Sequence, residues 1–370
     1  MVTTEVILEG LAAREPAALA RAISLVENGS PGFEQMLAGL HPRLGKARRI
    51  GVTGPPGAGK STLIERLAAL YRRGGLTVGV VAVDPSSPFT GGALLGDRIR
   101  MEQAALDPGV FIRSMASRGS LGGMATTTGE VADVMDAFGF DRILIETVGV
   151  GQSELEVASI SDTTLVVLVP ESGDGIQVMK AGLMEIADVY AVNKADRPGA
   201  DRLRQELEVA LGFKTGQTFR HVPAHHGVDL DRVAGTEAPS HGRTGEWAVH
   251  ASAYPVPPRP SAPVPPADVW EPPVIATVAP KDEGVGELGA ALERHFDFLV
   301  RSGALEARRA RQREQRTRDV VERALRRWVF SPSGPRGALE AAFADVASGK
   351  RSPYEAASGV VERIRGGDGA

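Results

Sequence analysis

Cysteine is absent from the 370 residues of the chain, which excludes disulfides, thiolate nucleophiles and cysteine metal sites. Aromatic residues are scarce, at 5%, so aliphatic side chains and alanine must fill the core of a chain that is 42% hydrophobic. A strong excess of one charge is missing too. The formal net charge of −4 favours neither a nucleic acid nor a membrane surface as a partner.

The sequence also lacks targeting and membrane-spanning signals. The N-terminal stretch MVTTEVILEGLAAREP has neither the basic start nor the apolar run of a signal peptide, and it is too acidic for a transit peptide. No stretch approaches the ~20 uninterrupted apolar residues that a membrane helix needs. We therefore expect a cytoplasmic protein that makes no membrane contact.

Short apolar runs alternate with helical segments along most of the chain. Residues 5–45 are predicted to be helical, because apolar side chains recur there at spacings of three and four. Seven apolar runs follow, at 49–54, 77–83, 110–114, 142–147, 164–170, 189–194 and 273–279. Several are continuously apolar, which is typical of parallel strands that helices cover on both faces. The predicted fold class is α/β with a mostly parallel central sheet.

One span interrupts this alternation. Residues 213–268 contain HVPAHHG and then YPVPPRPSAPVPP, in which the frequent prolines exclude a helix or a central strand. We predict a proline-rich surface insertion before the last strand, longer than connections in compact domains usually are. Helices are predicted after it, near 284–300, 303–329, 336–348 and 353–365.

The stretch VTGPPGAGKST, which begins at Val52, contains the pattern G-x-x-x-x-G-K-[ST] once. A predicted strand precedes it and a predicted helix follows, which indicates a phosphate-binding loop rather than an ordinary glycine turn. Glycines let backbone N–H groups surround phosphate oxygens, and the helix N-terminus adds partial positive charge. We expect Lys60 to reach the β- and γ-phosphates as a catalytic residue, and the Ser61 hydroxyl to ligate Mg²⁺. The residues predicted to bind nucleotide are Gly54, Pro56, Gly57, Ala58, Gly59, Lys60, Ser61 and Thr62.

A second motif, VNKAD, ends the predicted strand at 189–194 and supplies Asn193, Lys194 and Asp196. The Asp196 carboxylate can accept from the N1–H and the exocyclic amine of guanine together, whereas adenine would leave that buried acceptor unpaired. The Lys194 stem would cover the face of the base. Such residues are also common in turns, but downstream of a phosphate loop they predict GTP rather than ATP.

Three carboxylates are candidates for a Mg²⁺ site beside Ser61. Asp84 and Asp97 belong to DPSSPFTGGALLGDR, and Glu146 ends the strand RILIE. The carboxyl ends of strands are where ligands bind in a doubly wound sheet, and carboxylates hold Mg²⁺ directly or through water. Structural roles stay open: a helix cap or turn acid for Asp84 and Glu146, and an ion pair with Arg98 for Asp97.

The stretch ETVGVGQSE follows the same strand, where a γ-phosphate sensor would lie. The backbone N–H of Gly149 or Gly151 can meet the γ-phosphate, and Gln152 can orient the attacking water as a catalytic residue. A glycine-rich run of this kind is also compatible with simple turn chemistry. Both interpretations stay open at this point.

Taken together, TGPPGAGKSTLIE, VDPSSPFTGGALLGDRIRM, MASRGSLGG, ETVGVGQSE and NKAD resemble the MeaB/ArgK/MMAA family. Members of that family are GTPases that act as chaperones of adenosylcobalamin-dependent acyl-CoA mutases, notably methylmalonyl-CoA mutase. The resemblance covers roughly 5–200 and 268–330. It implies a Rossmann-like P-loop G domain at 46–300, an N-terminal helical extension at 1–45 and a C-terminal helical dimerisation arm at 301–370.

The resemblance also implies ligands and partners. GTP or GDP and Mg²⁺ would bind, with Asp84, Asp97 and Glu146 organising the metal beside Ser61. Intrinsic hydrolysis of GTP would be weak and would be accelerated by the mutase, whose cofactor loading and protection depend on nucleotide state. The segment ESGDGIQVMKAG would be a switch that meets the mutase, with Lys180 as a further catalytic residue. The family also forms homodimers.

Two departures from the family pattern bear on these expectations. The last guanine-contacting motif usually reads serine-alanine, whereas this chain has Val278 and Ala279. The serine contact is therefore lost, although the Ala279 N–H can still reach the guanine oxygen. The insertion at 213–268 is longer than is typical, which leaves open which mutase the protein serves.

Other functional classes stay open. One is a small-molecule kinase or transport ATPase, which the ArgK name suggests. Another is a metal-insertion GTPase of the hydrogenase or urease maturation type, with His221, His225 and His226 as the candidate ligands. The nine arginines of 304–329 are compatible with an RNA or acidic partner. We favour a dimerisation helix there, because its second half carries an apolar stripe of Val320, Val321, Ala324, Leu325 and Trp328.

Overall fold

The computed structural model of the protein describes residues 3–84, 101–116, 124–147, 153–170, 182–214, 269–331 and 336–366. Seven strands lie within these ranges: β1 (Arg48–Thr53), β2 (Val78–Asp84), β3 (Val110–Ala116), β4 (Arg142–Glu146), β5 (Thr163–Leu168), β6 (Val189–Asn193) and β7 (Val274–Thr277). They form one sheet in the order β3-β2-β4-β1-β5-β6-β7. Every pair of neighbours in the sheet is parallel.

Each strand falls on one of the seven predicted apolar runs, so the α/β prediction is confirmed. The sheet is wholly parallel where the prediction was mostly parallel. Strand β5 illustrates the cause, because all six of its residues are buried. A strand that helices cover on both faces has no solvent-facing side on which polar residues would alternate.

The described residues form thirteen α-helices. Those before the last strand are α1 (Thr4–Ala12), α2 (Pro16–Glu27), α3 (Phe33–Leu40), α4 (Lys60–Arg73), α5 (Glu102–Ala105), α6 (Met124–Phe138), α7 (Ser153–Glu156), α8 (Leu183–Ile186) and α9 (Ala200–Lys214). Those after it are α10 (Val285–Arg301), α11 (Ala304–Val329), α12 (Arg336–Ala347) and α13 (Pro353–Arg365). The four helices predicted after the insertion are therefore confirmed to within about two residues.

The N-terminal helical region consists of three helices with turns between them. Pro16 is the first residue of α2, a position where its missing N–H breaks no helical hydrogen bond. Gly32 precedes α3 with a φ of 90°, which favours glycine. At the other boundary, α9 extends to Lys214, two residues into the span predicted as an insertion. Residues 215–268 lie outside the described residues.

Helices cover the sheet on both faces, and the described residues form three hydrophobic cores, of which the third joins β5 and β6 to α9. On one face α4 and α10 pack over β1, and Leu144 of β4 belongs to that core. On the other face α1, α2, α3 and α6 pack over Ile143 and Ile145 of the same strand. These three neighbours alternate between the cores because successive side chains of a strand point to opposite faces. Burying each contributes about 1.5–3 kcal/mol, which holds the sheet firmly beneath the loops at its edge.

The long helix α11 lies against the rest of the chain through charged side chains. Arg316 pairs with Asp133, and Arg323 pairs with Glu130, both partners lying on α6. The pair of Arg323 and Glu130 is almost fully buried. An arginine-rich helix therefore packs on this fold by ion pairing. No helix among the described residues has the length and apolar character needed to cross a bilayer.

Candidate nucleotide-binding site

The sequence motifs meet at the carboxyl edge of the sheet. Strand β1 lies between β4 and β5, and β6 lies beside β5. The loop of the G-x-x-x-x-G-K-[ST] pattern follows β1, the segment beginning with Glu146 follows β4, and the NKAD motif ends β6. In open parallel sheets ligands bind outside the carboxyl ends of the strands, where this chain places all three motifs.

Two glycines of the loop between β1 and α4 allow close backbone approach. Gly54 has a φ of 135°, and a Cβ there would lie 2.1 Å from the carbonyl oxygen of Val167. Gly59 has a φ of 86°, and a Cβ there would lie 2.5 Å from Nδ2 of Asn193. Both positions require glycine, since any side chain would push the loop off its neighbours. Among the other predicted residues, Ala58 is buried, Thr62 is half-buried, and Pro56 and Gly57 are exposed.

The Lys60 side chain lies over this loop. Its Nζ donates to the carbonyl oxygens of Gly54 at 2.8 Å and Pro55 at 3.2 Å. Lys60 is also the first residue of α4. Its ammonium group and the positive end of the helix dipole therefore both add positive charge at this loop. A phosphate oxygen that replaced these carbonyls would gain a stronger, charge-assisted hydrogen bond.

Ser61 and Glu146 are brought together from the start of α4 and the end of β4. The Ser61 hydroxyl donates to Oε1 of Glu146 at 2.8 Å, and both residues are buried. Next to them the Thr147 hydroxyl donates to that of Thr53 at 3.0 Å, which ties the ends of β4 and β1 together. Hydroxyl and carboxylate oxygens are ligands that Mg²⁺ prefers, so the pair of Ser61 and Glu146 fits the predicted metal site.

Other predicted site residues are described in part or not at all. Asp84 is the last residue of β2, at the same edge of the sheet. Of this residue the structure describes the backbone alone. Outside the described residues lie Asp97, Gly149, Gln152, Lys180, His221, His225 and His226. Within the described ranges, no three or more Asp, Glu or His side chains are grouped closely enough to hold a metal. The roles assigned to these residues stay predictions.

Asn193 joins the phosphate loop to the loop after β7. Its Nδ2 donates to the carbonyl oxygen of Ala58 at 2.8 Å. Its Oδ1 accepts from the Ala279 N–H and from the Thr277 hydroxyl, both at 3.2 Å. The amide therefore connects three parts of the predicted pocket. The Ala279 N–H, predicted to reach the guanine oxygen, here donates to Asn193, a contact between positions 86 residues apart that no local motif indicates.

In the rest of the NKAD motif, Lys194 and Ala195 are half-buried and Asp196 is exposed. Lys194 has a φ of 56°, which turns the chain sharply after β6. The Asp196 side chain is 44% exposed, and its Oδ2 lies 3.7 Å from Nζ of Lys281. Lys281 belongs to the turn that also contains Ala279, so the turns after β6 and β7 lie next to each other. The exposed Asp196 carboxylate is available to a ligand, as a base-reading residue must be.

Glu154 of α7 is a half-buried acid that motif analysis did not single out. Burial raises its pKa above the ordinary value, and the nearby charge of Lys60 partly opposes that shift. A carboxylate therefore lies within electrostatic reach of the lysine of the phosphate loop. The sequence feature that could have pointed to Glu154 is its position at the end of ETVGVGQSE, eight residues after Glu146.

Replacing Asp196 by asparagine is expected to shift base preference from guanine to xanthine. The asparagine amide donates where the carboxylate accepts, so guanine loses its paired contact while the oxygen at position 2 of xanthine gains a donor. We expect GTP affinity to fall by about 10- to 100-fold and xanthosine triphosphate affinity to rise. Calorimetric titration of both nucleotides measures the change.

The matched control is Asp201→Asn, the same change at an exposed position near the start of α9. It should leave the affinities for both nucleotides unaltered. If Asp196→Asn gives xanthosine triphosphate no advantage over the unchanged chain, Asp196 does not read the base.

Comparison with protein families shows that the chain is similar to GTPases. A family model described as methylmalonyl Co-A mutase-associated GTPase MeaB matches residues 19–333. A protein of Pyrococcus abyssi described as a GTPase is 40% identical over 361 residues, which is 98% of this chain and 97% of the relative. A mouse mitochondrial protein described as a methylmalonic aciduria type A homolog is 41% identical over 201 residues, covering 50% of this chain and 48% of the mouse protein.

A solved structure extends the likeness along the whole chain. The crystal structure titled LAO/AO transport system kinase aligns with a TM-score of 0.63 and 26% sequence identity. The alignment covers 99% of each chain. The present chain therefore shares its fold with this solved structure over nearly its whole length.

Proposed function

We propose, because the chain belongs to the MeaB family of GTPases, that it is a chaperone of an adenosylcobalamin-dependent acyl-CoA mutase. In this proposal the protein gates loading of the cofactor and protects the mutase, which is methylmalonyl-CoA mutase or a close relative. Hydrolysis of GTP to GDP and phosphate is the activity of the family. The partner, its stimulation of hydrolysis and a cytoplasmic location belong to the proposal.

The observation that carries the proposal is the family match, whose description names the mutase and which spans residues 19–333. The geometry of the site supports a nucleotide used as a signal. Asn193 connects the phosphate loop with the base-binding turn, so contacts at one end of a bound nucleotide can affect the other. The relative whose description refers to methylmalonic aciduria shares about half of the chain.

In this proposal each residue of the site has its own role in binding or hydrolysis. Lys60 would bind the phosphates, and Asp196 and Lys194 would hold the guanine. Ser61 and Glu146, already in contact, would hold Mg²⁺ with Asp84 and Asp97, and the metal would neutralise phosphate charge. Gly149 would contact the γ-phosphate, and Gln152 and Lys180 would act in hydrolysis.

A homodimer is part of the proposal. The helix α11 turns Arg316 and Arg323 toward its own chain and exposes large apolar side chains elsewhere. Exposed apolar side chains at spacings of three and four form a stripe suited to pack against another helix. The residues in question are Val321 (50% exposed), Leu325 (54%) and Trp328 (39%).

The test is to measure phosphate release from GTP with and without an adenosylcobalamin-dependent methylmalonyl-CoA mutase. We expect the mutase to stimulate hydrolysis roughly tenfold or more, as a partner does when it completes the surroundings of the transferred phosphoryl group. An acyl-CoA isomerase that uses no cobalamin is the matched control and should have no effect.

Four outcomes would count against the proposal. An unchanged rate with every adenosylcobalamin-dependent acyl-CoA mutase tested would remove the chaperone role. Arginine-dependent phosphoryl transfer by the clean protein would favour the kinase alternative, and stoichiometric nickel or zinc binding would favour metal insertion. Sedimentation of the same sample as a 38.9 kDa species would contradict the homodimer.

A further inference from the structure

The segment between β4 and β5 runs from the carboxyl edge of the sheet, where the phosphate loop lies, to the opposite edge. Its described part begins with α7 and continues through the turn at Val157–Ser159 to Asp162. At the upper end, Glu154 is within electrostatic reach of Lys60. Glu156 lines a cavity of about 20 Å³ together with Thr147, the residue that follows β4. This segment, residues 153–162, therefore has one end beside the end of β4, next to Glu146 and its partner Ser61.

The lower end of segment 153–162 is held by α11. The Gln312 side chain donates from Nε2 to the carbonyl oxygen of Ser161 at 2.8 Å. Arg309 donates from Nε and from a terminal nitrogen to the two carboxylate oxygens of Asp162, each at 2.8 Å. Asp162 is nearly fully buried, and a bidentate pair of this kind is geometrically specific.

The middle of the segment packs directly on the sheet. A Cβ at Gly51 of β1 would lie 2.6 Å from Cγ2 of Val157 and 2.7 Å from the Ser161 hydroxyl. The Ser161 hydroxyl in turn donates to the carbonyl oxygen of Val157 at 2.7 Å. With so little free space on the sheet side, a shift of Ser161 would be transmitted along the segment toward Glu154.

We propose that Gln312 and Arg309 of α11 are positioning residues for GTP hydrolysis, which act by fixing segment 153–162 beside the end of β4, where Glu146 contacts Ser61. The helix itself is held on the other side, by Arg316 to Asp133 and by Arg323 to Glu130. Because these pairs anchor α11 to α6, loss of the Gln312 hydrogen bond loosens the segment at Ser161 and leaves the helix and the pair of Arg309 and Asp162 in place. The proposal rests on the GTPase activity of the family and is independent of the mutase.

Replacing Gln312 by methionine tests the proposal, because methionine keeps the length of the side chain and removes the donor. We expect kcat for GTP hydrolysis to fall about three- to tenfold. A decrease of this size corresponds to the free energy of one hydrogen bond that is lost from the support of the site. KM for GTP and the unfolding midpoint should stay close to those of the unchanged chain, since neither phosphate nor base contacts are removed.

The matched control is Gln315→Met, on the same helix. The Gln315 amide donates to Asp319 within α11 at 2.9 Å, at an exposed position, so this variant should keep the full kcat. Gln312→Lys restores a donor of similar reach and should recover most of the activity. Gln312→Glu offers only acceptors to the Ser161 carbonyl and should lose at least as much kcat as Gln312→Met.

Two results would overturn the positioning role. One is a wild-type kcat in both Gln312→Met and Gln312→Glu. The other is an equal loss in Gln315→Met, which would indicate a general effect of changing the helix surface. Absence of hydrolysis by the unchanged chain in the same assay would instead overturn the GTPase assignment, and the positioning role with it.

Discussion

Replacing Lys60 by alanine is expected to lower the affinity for GTP by about 100-fold or more while the fold stays intact. The ammonium is the one charged group that the G-x-x-x-x-G-K-[ST] pattern aims at the β- and γ-phosphates. Two charge-assisted hydrogen bonds of about 1.5 kcal/mol each correspond to about 100-fold in affinity. In the unchanged chain Nζ donates to the carbonyl oxygens of Gly54 and Pro55. In the variant, bound water can donate hydrogen bonds to these oxygens instead.

Calorimetric titration with GTP measures the affinity, and thermal unfolding reports on the fold. Lys350→Ala, at an exposed turn far along the chain, is the control and should bind GTP normally. Undiminished GTP affinity in Lys60→Ala, with an unaltered unfolding midpoint, would show that this loop does not bind the phosphates.

Replacing Asp188 by alanine is expected to reduce the free energy of unfolding by about 3–5 kcal/mol. One carboxylate oxygen of Asp188 accepts from the Thr164 N–H at 2.8 Å and lies 2.8 Å from a terminal nitrogen of Arg308. The other oxygen lies 3.0 Å from the second terminal nitrogen of Arg308 and 3.2 Å from Nε2 of His295. Alanine would leave a largely buried guanidinium and a fully buried imidazole facing an empty acceptor position.

The contribution of Asp188 also depends on pH in a definite direction. Burial alone would raise its pKa, but hydrogen bonds from His295 and Arg308 outweigh burial and lower the pKa from 3.8 to about 2. A folded-state pKa below the unfolded one means that the ionised form stabilises the fold. The contribution is therefore complete above about pH 4 and is lost as the pH falls through about 2.

Urea unfolding at pH 7 and at pH values below 4 measures both effects. The difference between Asp188→Ala and the unchanged chain should be large at pH 7 and should shrink as the pH falls from 4 to 2. Glu208→Ala is the control, because its partner Arg204 is 50% exposed and the pair is mostly in solvent. Equal stabilities of Asp188→Ala and Glu208→Ala at pH 7 would contradict the assignment.

The strands and most helices were predictable because their signals are local. Seven apolar runs, several of them continuous, became seven parallel strands, since strands buried on both faces need no polar alternation. The position of α11 was not predictable in the same way. Its apolar residues suggested the packed face, yet the contact with its own chain is made by arginines such as Arg316 and Arg323, and Leu325 is 54% exposed.

Within the candidate site, the phosphate loop and the NKAD motif could be found by spacing alone, because each is a contiguous stretch. Their connection could not. Asn193 meets Ala58 across 135 residues of sequence, and Lys281 meets Asp196 across 85. Burial and the charge of Lys60 both act on the pKa of Glu154, and no motif encodes either effect.

By itself the sequence determined the fold class, the phosphate loop, the guanine motif and the family resemblance. All of these depend on residues close together along the chain, whose backbone preferences and side-chain chemistry act locally. Only the tertiary structure decided that Asn193 joins the phosphate loop to the turn after β7, and that Gln312 and Arg309 hold segment 153–162. Such contacts depend on how the sheet and the two helical layers bring distant residues together, and no local pattern specifies that arrangement.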